Sequence, residues 1–214
     1  MRIALPFAWP TGLISRRLML SLSALSALSL LGAAPPAVQH TLKGPTIGRP
    51  NPQLTMVIAK RGAIVVELYP NAAPKTVTHI IDLVNRKFYD GLLFHRVIPE
   101  FVAQTGDPKS KHIDGAKLHG LSDILVAQKY GLGAGGSGKK VPLEPKLPHE
   151  RGTLGLARSA DIDSGDSQFF FNLKANHTLD AAYCVFGKVI KGIEVMDKIA
   201  LGDHITSLRV SRGK

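Results

Sequence analysis

The chain has 214 residues, of which 44% are hydrophobic and 20% are charged. This length and composition exclude general intrinsic disorder and favour one folded domain with a leader. The net charge of +11 is compatible with nucleic-acid binding, but the basic residues are scattered along the chain, so we expect no nucleic-acid partner. Cys184 is the only cysteine, which excludes an internal disulfide and a CxxC redox pair.

Residues 1–37 have the features of an export signal. They contain three arginines and no acidic residue, and an apolar stretch follows the pair Arg16 and Arg17. A basic region followed by an apolar region is typical of a secretory signal, and the arginine pair resembles the twin-arginine type. We therefore expect a periplasmic protein, which an uncleaved leader would tether to the membrane. A mitochondrial presequence is the alternative.

Residues 38–52 are rich in Pro and Gly and predict a linker, so the folded domain is expected over 53–214. It opens with a hairpin, in which β-rich segments at 54–59 and 63–69 flank a turn containing Gly62.

Two helices are predicted, at 74–86 and 193–200, the first from apolar residues at three- and four-residue spacing. Further short β-rich segments lie at 92–98, 101–105, 153–157, 167–173, 184–190 and 206–210. Many short strands with two helices indicate a sandwich or a closed barrel rather than a parallel α/β sheet.

Several predicted strands carry a polar side chain on an apolar face. The two-residue period of a strand places Arg96 on the same face as Phe94, and Gln104 on the same face as Val102. Taken singly, each of these is most simply a snorkelling arginine or an amide that caps a strand end. Their order along the chain favours a functional site instead.

The segment FHRVIPEFVAQTGD at 94–107 resembles the signature motif of the cyclophilin family. Two further blocks match that family downstream: GLAR at 155–158 with SQFFFN at 167–172, and LD at 179–180 with VFGKV at 185–189. The resemblance spans about residues 54–210, with all three blocks in the family's order. The chain is therefore identified as a member of the cyclophilin family.

This resemblance implies a mainly β fold, a closed eight-stranded antiparallel β-barrel capped by two helices. It implies peptidyl-prolyl cis-trans isomerisation of proline-containing polypeptides by a monomer, with no cofactor and no metal. Arg96 would be the catalytic guanidinium and Gln104 its partner at the peptide backbone. The implied substrate-binding residues are Phe101, Val102, Ala157, Arg158, Gln168, Phe170, Leu179 and Tyr183.

The chain departs from the family's pattern in three places. Thr178 stands where many eukaryotic members carry Trp, so strong cyclosporin binding is not expected, and Tyr183 stands where they carry His. Residues 109–130 interrupt the resemblance and are interpreted as a loop insertion. Histidines and aspartates in this segment could suggest a metal site, but a surface loop is the favoured interpretation: His112, Asp114, His119 and Asp123.

Three functions from different classes remain open at this point. The first is an isomerase that accelerates Xaa-Pro rotation during folding of exported proteins. The alternative is a proline-peptide binding module or chaperone with weak catalysis, which Thr178 and the 109–130 segment favour. Nucleic-acid binding rests on net charge alone and ranks last.

Overall fold

The computed structural model of the protein describes residues 50–212, so the predicted leader and most of the predicted linker lie outside the described residues. Eight strands form one sheet in which all neighbours are antiparallel, in the order β3-β4-β6-β5-β7-β2-β1-β8. The strands are β1 (Pro52–Ile58), β2 (Gly62–Leu68), β3 (Arg96–Ile98), β4 (Val102–Thr105), β5 (Thr153–Leu156), β6 (Phe169–Asn172), β7 (Cys184–Lys191) and β8 (Ile205–Arg212).

The sheet is an open half-barrel, and the expectation of a closed barrel is wrong. β3 and β8 lie at opposite ends of the strand order and do not pair as strands. The chain near them is joined by an isolated bridge between Leu93 and His204 and by a few backbone hydrogen bonds, such as that from Ile205 N–H to Leu92 O. The segment predicted as one strand at 92–98 is a strand only from Arg96, because Phe94 N–H donates to Asp203 O instead of to a neighbouring strand. The mainly β, antiparallel character of the prediction is confirmed.

Helix α1 (Pro74–Asn85) matches the first predicted helix and packs its apolar face on the sheet. Pro74 stands in the first turn, where its missing N–H costs no hydrogen bond. Glu144 caps this end of α1 from a distant loop, accepting from Lys75 N–H at 3.2 Å and from Thr76 N–H at 3.0 Å. The second predicted helix is shorter than expected and spans Ile193–Met196; it is α3 in chain order.

The 109–130 segment is ordered into short helices rather than an irregular loop. Two 3₁₀ turns, Pro108–His112 and Gly115–Leu118, precede helix α2 (Asp123–Tyr130). Within residues 50–212, no group of three or more potential metal-ligating side chains is found, and no helix is long and apolar enough to cross a membrane.

Candidate functional site

The central strands bury both of their faces, and the two faces belong to different hydrophobic clusters. In β6, Phe169 and Phe171 point into the main core, whereas Phe170 between them belongs to a second cluster. In β4, Ala103 faces the core and Val102 faces the second cluster. Because strand side chains alternate between faces, one run of sequence supplies the core and, on its reverse side, a separate apolar surface.

This second cluster, called the apolar patch below, contains every apolar residue predicted to bind substrate. Its buried members are Val102, Ala157, Phe170, Leu179 and Tyr183, with Phe101 and Ala182 packed against them. Five of the six predicted apolar residues are buried in this patch and the sixth, Phe101, packs against it. An apolar patch separate from the main core is consistent with the mainly apolar lining of a ligand-binding site.

Arg96 and Gln104 lie beside the apolar patch on neighbouring strands. They are directly opposite each other in the β3–β4 ladder, and Gln104 is opposite Phe170 in the β4–β6 ladder. Directly opposed residues in an antiparallel pair have neighbouring side chains. The sheet register therefore lines up a guanidinium, an amide and an aromatic ring in one row across three strands.

The two predicted glutamines are linked by a buried hydrogen bond. Gln104 Nε2 donates to Gln168 Oε1 at 2.9 Å, and Gln168 Nε2 donates to Gly135 O at 2.7 Å. Among the described residues, buried Gln104 Oε1 has no hydrogen-bond partner. A fixed amide oxygen of this kind is suited to accept a hydrogen bond from a peptide N–H.

A buried polar network that contains His149 and Asn172 packs against the Phe170 ring. The His149 ring stacks on Phe170 at 5.8 Å between centroids, and Asn172 Nδ2 lies 3.1 Å from His149 Nδ1. Burial lowers the pKa of His149, which favours the neutral ring next to the apolar patch. His149 was not predicted from the sequence, where an isolated histidine between Pro148 and Glu150 carries no local signal.

The Arg158 guanidinium makes its contacts with other groups of the protein, although Arg158 was predicted to bind substrate. Its Nε donates to Ala182 O at 2.8 Å, and its guanidinium carbon lies 4.9 Å from the centroid of the Tyr183 ring. These contacts fix Tyr183 at the wall of the apolar patch. The role that the geometry indicates for Arg158 is therefore support of this wall, next to an adjoining cleft.

That cleft has a volume of about 260 Å³ and lies under the glycine-rich loop at 131–138. Asp107 holds one side of the loop by accepting from Gly133 N–H at 2.7 Å and from Gly135 N–H at 3.0 Å. Three predicted site residues line the cleft, namely Ala157, Arg158 and Gln168. Arg96 and the apolar patch's Phe170 lie outside its lining, so the site has two adjoining parts.

The most consequential contact that the sequence did not predict is an ion pair on Arg96. Asp123, at the start of α2, accepts from Arg96 Nε at 3.2 Å. The two residues are 27 positions apart, and nothing in the spacing of the sequence indicates that they meet.

Comparison with known proteins identifies the family of the chain. Residues 53–212 match the family model described as Cyclophilin type peptidyl-prolyl cis-trans isomerase/CLD. A probable peptidyl-prolyl cis-trans isomerase of Brucella suis biovar 1 (strain 1330) is 38% identical over 184 residues, covering 85% of this chain and 86% of its own. Peptidyl-prolyl cis-trans isomerase B of Bacillus subtilis (strain 168) is 39% identical over 150 residues, covering 69% of this chain and 90% of its own.

Solved structures support the fold. A cyclophilin-type isomerase of Cryptosporidium parvum aligns with a TM-score of 0.60 at 23% identity, covering 76% of this chain and 98% of its own. The cyclophilin AquaCyp293 of Hirschia baltica aligns with a TM-score of 0.56 at 21% identity, covering 73% of this chain and 72% of its own. The chain therefore belongs to the cyclophilin family and is a cyclophilin-type peptidyl-prolyl cis-trans isomerase.

Proposed function

We propose that Arg96 and Gln104 carry the isomerisation, that the apolar patch holds the proline ring, and that the clients are exported proteins. The observation that carries the catalytic part is the register of Arg96, Gln104 and Phe170 in one row beside an apolar patch separate from the core. A Cryptosporidium parvum cyclophilin, whose fold resembles this one, has been solved in the presence of the dipeptide Ala-Pro. This supports a proline-containing peptide as the ligand.

The chemistry needs no proton transfer to or from a side chain. An Xaa-Pro amide rotates over a barrier of about 18–20 kcal/mol because resonance gives its C–N bond double-bond character. At the twisted transition state this resonance is lost and the nitrogen regains a lone pair. A guanidinium N–H of Arg96 can donate to that lone pair, and the group keeps its positive charge at any physiological pH.

The size of the rate acceleration shows why the apolar patch is needed as well as Arg96. Raising a rate from about one event per hundred seconds to about a thousand per second requires about 7 kcal/mol. One preorganised donor typically supplies about 3 kcal/mol of transition-state stabilisation. The remainder is assigned to the grip of the apolar patch on the proline ring and to removal of water from the amide. Gln104 Oε1 would hold the peptide backbone while the bond turns.

Periplasmic clients are proposed from the leader alone. The basic and apolar regions within 1–37 have the order of a secretory signal. Cell fractionation of the protein with a C-terminal epitope tag, compared with a variant lacking residues 1–37, tests this. Recovery of both forms in the cytoplasm would contradict the proposal.

The catalytic proposal is tested by comparing two arginine variants in a tetrapeptide cis-to-trans assay. Arg96→Ala should lower kcat/KM by about 100-fold or more, the loss typical of one transition-state donor. Arg209→Ala is the matched control, because Arg209 also pairs with a carboxylate, that of Asp90, but lies on the exposed edge strand β8. Equal losses in both variants, or none in either, would contradict the role of Arg96. Tight peptide binding by a wild type without turnover would favour the binding-module alternative.

A further inference from the structure

Helix α2 is fixed against the strand that carries Arg96. Val126, its one buried residue, packs in a third hydrophobic cluster that also contains Leu93, Leu118 and Leu132. Leu93 N–H also donates to Ser110 Oγ, so the 109–130 segment is bonded as well as packed to the chain three residues before Arg96. The start of α2 is therefore held at a fixed position beside Arg96.

The Asp123 carboxylate bridges two groups that both favour its negative charge. Its Oδ1 accepts from the backbone N–H of Ile124 at the start of α2, at 3.0 Å, and its Oδ2 accepts from Arg96 Nε at 3.2 Å. A helix N-terminus stabilises a carboxylate, and a hydrogen bond to each oxygen restricts rotation of the side chain. The oxygen that meets Arg96 is thus preorganised by the helix.

We propose that Asp123 is a positioning residue for isomerisation, which holds the Arg96 guanidinium in the orientation that meets the proline nitrogen. This inference rests on the role proposed above for Arg96. The contact is at Nε, the base of the guanidinium, so the terminal nitrogens extend beyond it. The carboxylate fixes the plane of the group through Nε and leaves the peptide to be met by the far end.

Partial burial of the ion pair makes the orientation of the Arg96 guanidinium depend on the Asp123 carboxylate. The Arg96 side chain is 15% exposed and that of Asp123 is 37% exposed, so the pair is screened by water only in part. Arg96 has several rotatable bonds, and a small error in the placement of a catalytic group lowers the rate steeply. Asp123 restricts the Arg96 side chain before the amide twists, because it disfavours rotamers in which the guanidinium points away from the proline nitrogen.

The test uses Asp123→Asn in the full-length protein, with Asp114→Asn as the matched control. The Asn variant keeps an oxygen for the Ile124 N–H but loses the charge that holds Nε. Asp114 caps a 3₁₀ turn in the same segment, accepting from Ala116 N–H, so Asp114→Asn removes one carboxylate charge from this segment at a different position and keeps an oxygen for the cap. We expect kcat to fall about 5- to 10-fold in Asp123→Asn with KM unchanged, and Asp114→Asn to match wild type.

Two further readouts separate positioning from a merely structural effect. The Nε–H signal of Arg96 in an NMR spectrum should exchange with solvent faster in Asp123→Asn than in wild type, and Asp123→Glu should restore both this protection and kcat. In an Arg96→Lys background, which lacks Nε, Asp123→Asn should have no further effect on the rate.

Several outcomes would overturn the inference. Wild-type or increased kcat in Asp123→Asn would do so, as would a raised KM with unchanged kcat, which would mean that Asp123 contacts the peptide itself. Equal losses in Asp123→Asn and Asp114→Asn would mean that the segment as a whole is disturbed. If Arg96→Ala keeps full activity, the proposed catalytic role fails; if only Asp123→Asn does, the positioning role alone fails.

Discussion

Gly155 leaves the space that the Phe170 ring occupies at the centre of the apolar patch. A Cβ atom built on Gly155 would lie 2.5 Å from Phe170 Cε2 and 2.9 Å from Cε1, both far inside van der Waals contact. Gly155 lies in β5, directly opposite Phe170 in β6. Gly155→Ala therefore forces the ring to move, although its backbone conformation accepts an L side chain.

The ring has little room to move. Phe170 is fully buried, stacked on His149 at 5.8 Å and edge-on to Tyr183 at 5.9 Å. Overpacking of this kind costs about 1–3 kcal/mol of unfolding free energy. The lower backbone entropy of Ala in the unfolded chain offsets about 0.5–1 kcal/mol of this. A net loss of about 1–2 kcal/mol is expected, with a kcat/KM about tenfold lower because the displaced ring narrows the patch.

Urea denaturation and the tetrapeptide assay measure both effects, with Gly91→Ala as the control. Gly91 has φ +83°, and a Cβ there meets only Lys111 at 3.8 Å, so Ala should cost about 1–2 kcal/mol through backbone strain alone. We expect the control to lose stability and keep full activity. A Gly155→Ala protein as stable and as active as wild type would refute the packing described for Phe170.

Three other results are expected. Burial lowers the pKa of His95 from 6.5 to about 4, so on acidification His95 is protonated in the unfolded chain before it is protonated in the folded protein. The unfolding free energy should therefore fall by up to about 3 kcal/mol between pH 6.5 and 4. His95→Asn should reduce this pH dependence, and an unchanged dependence would contradict the burial of a neutral His95. Glu144→Ala should cost about 1 kcal/mol by uncapping α1 while leaving kcat/KM intact; a loss of activity with full stability would be inconsistent with this role. Burial raises the pKa of Cys184 to about 11, so the native protein should resist a thiol reagent at pH 8 that labels the urea-unfolded chain, and rapid native labelling would argue against it.

The alternation of side chains along β4 and β6 is the part of the site that the sequence predicts best. Gln104 shares a face with Val102, and Phe170 shares a face with Asn172, as the two-residue period requires. The period fixes which side chains share a face within a strand. It does not fix which strand lies beside it, and the row of Arg96, Gln104 and Phe170 depends on that pairing.

Local pattern fails where a distant segment decides the structure. Residues 92–94 are apolar and β-rich like those that follow, yet they bond to residues 203–205 and leave the sheet open at this end. Helix α2 has clear end signals, with Ser122 as N-cap and Gly131 in the left-handed conformation at its C-cap. Helix α2 buries only Val126, so the sequence shows no apolar periodicity that would predict this helix.

The central claim is that the Arg96 guanidinium stabilises the twisted amide rather than merely holding the peptide. Exchange spectroscopy on a saturating proline peptide measures cis-trans interconversion in the bound state, and titration of the same peptide gives its Kd. For Arg96→Ala we predict a bound-state exchange rate lower by about 100-fold or more, with Kd changed by less than about threefold. An exchange rate equal to that of wild type, or a loss that appears wholly in Kd, would contradict the account.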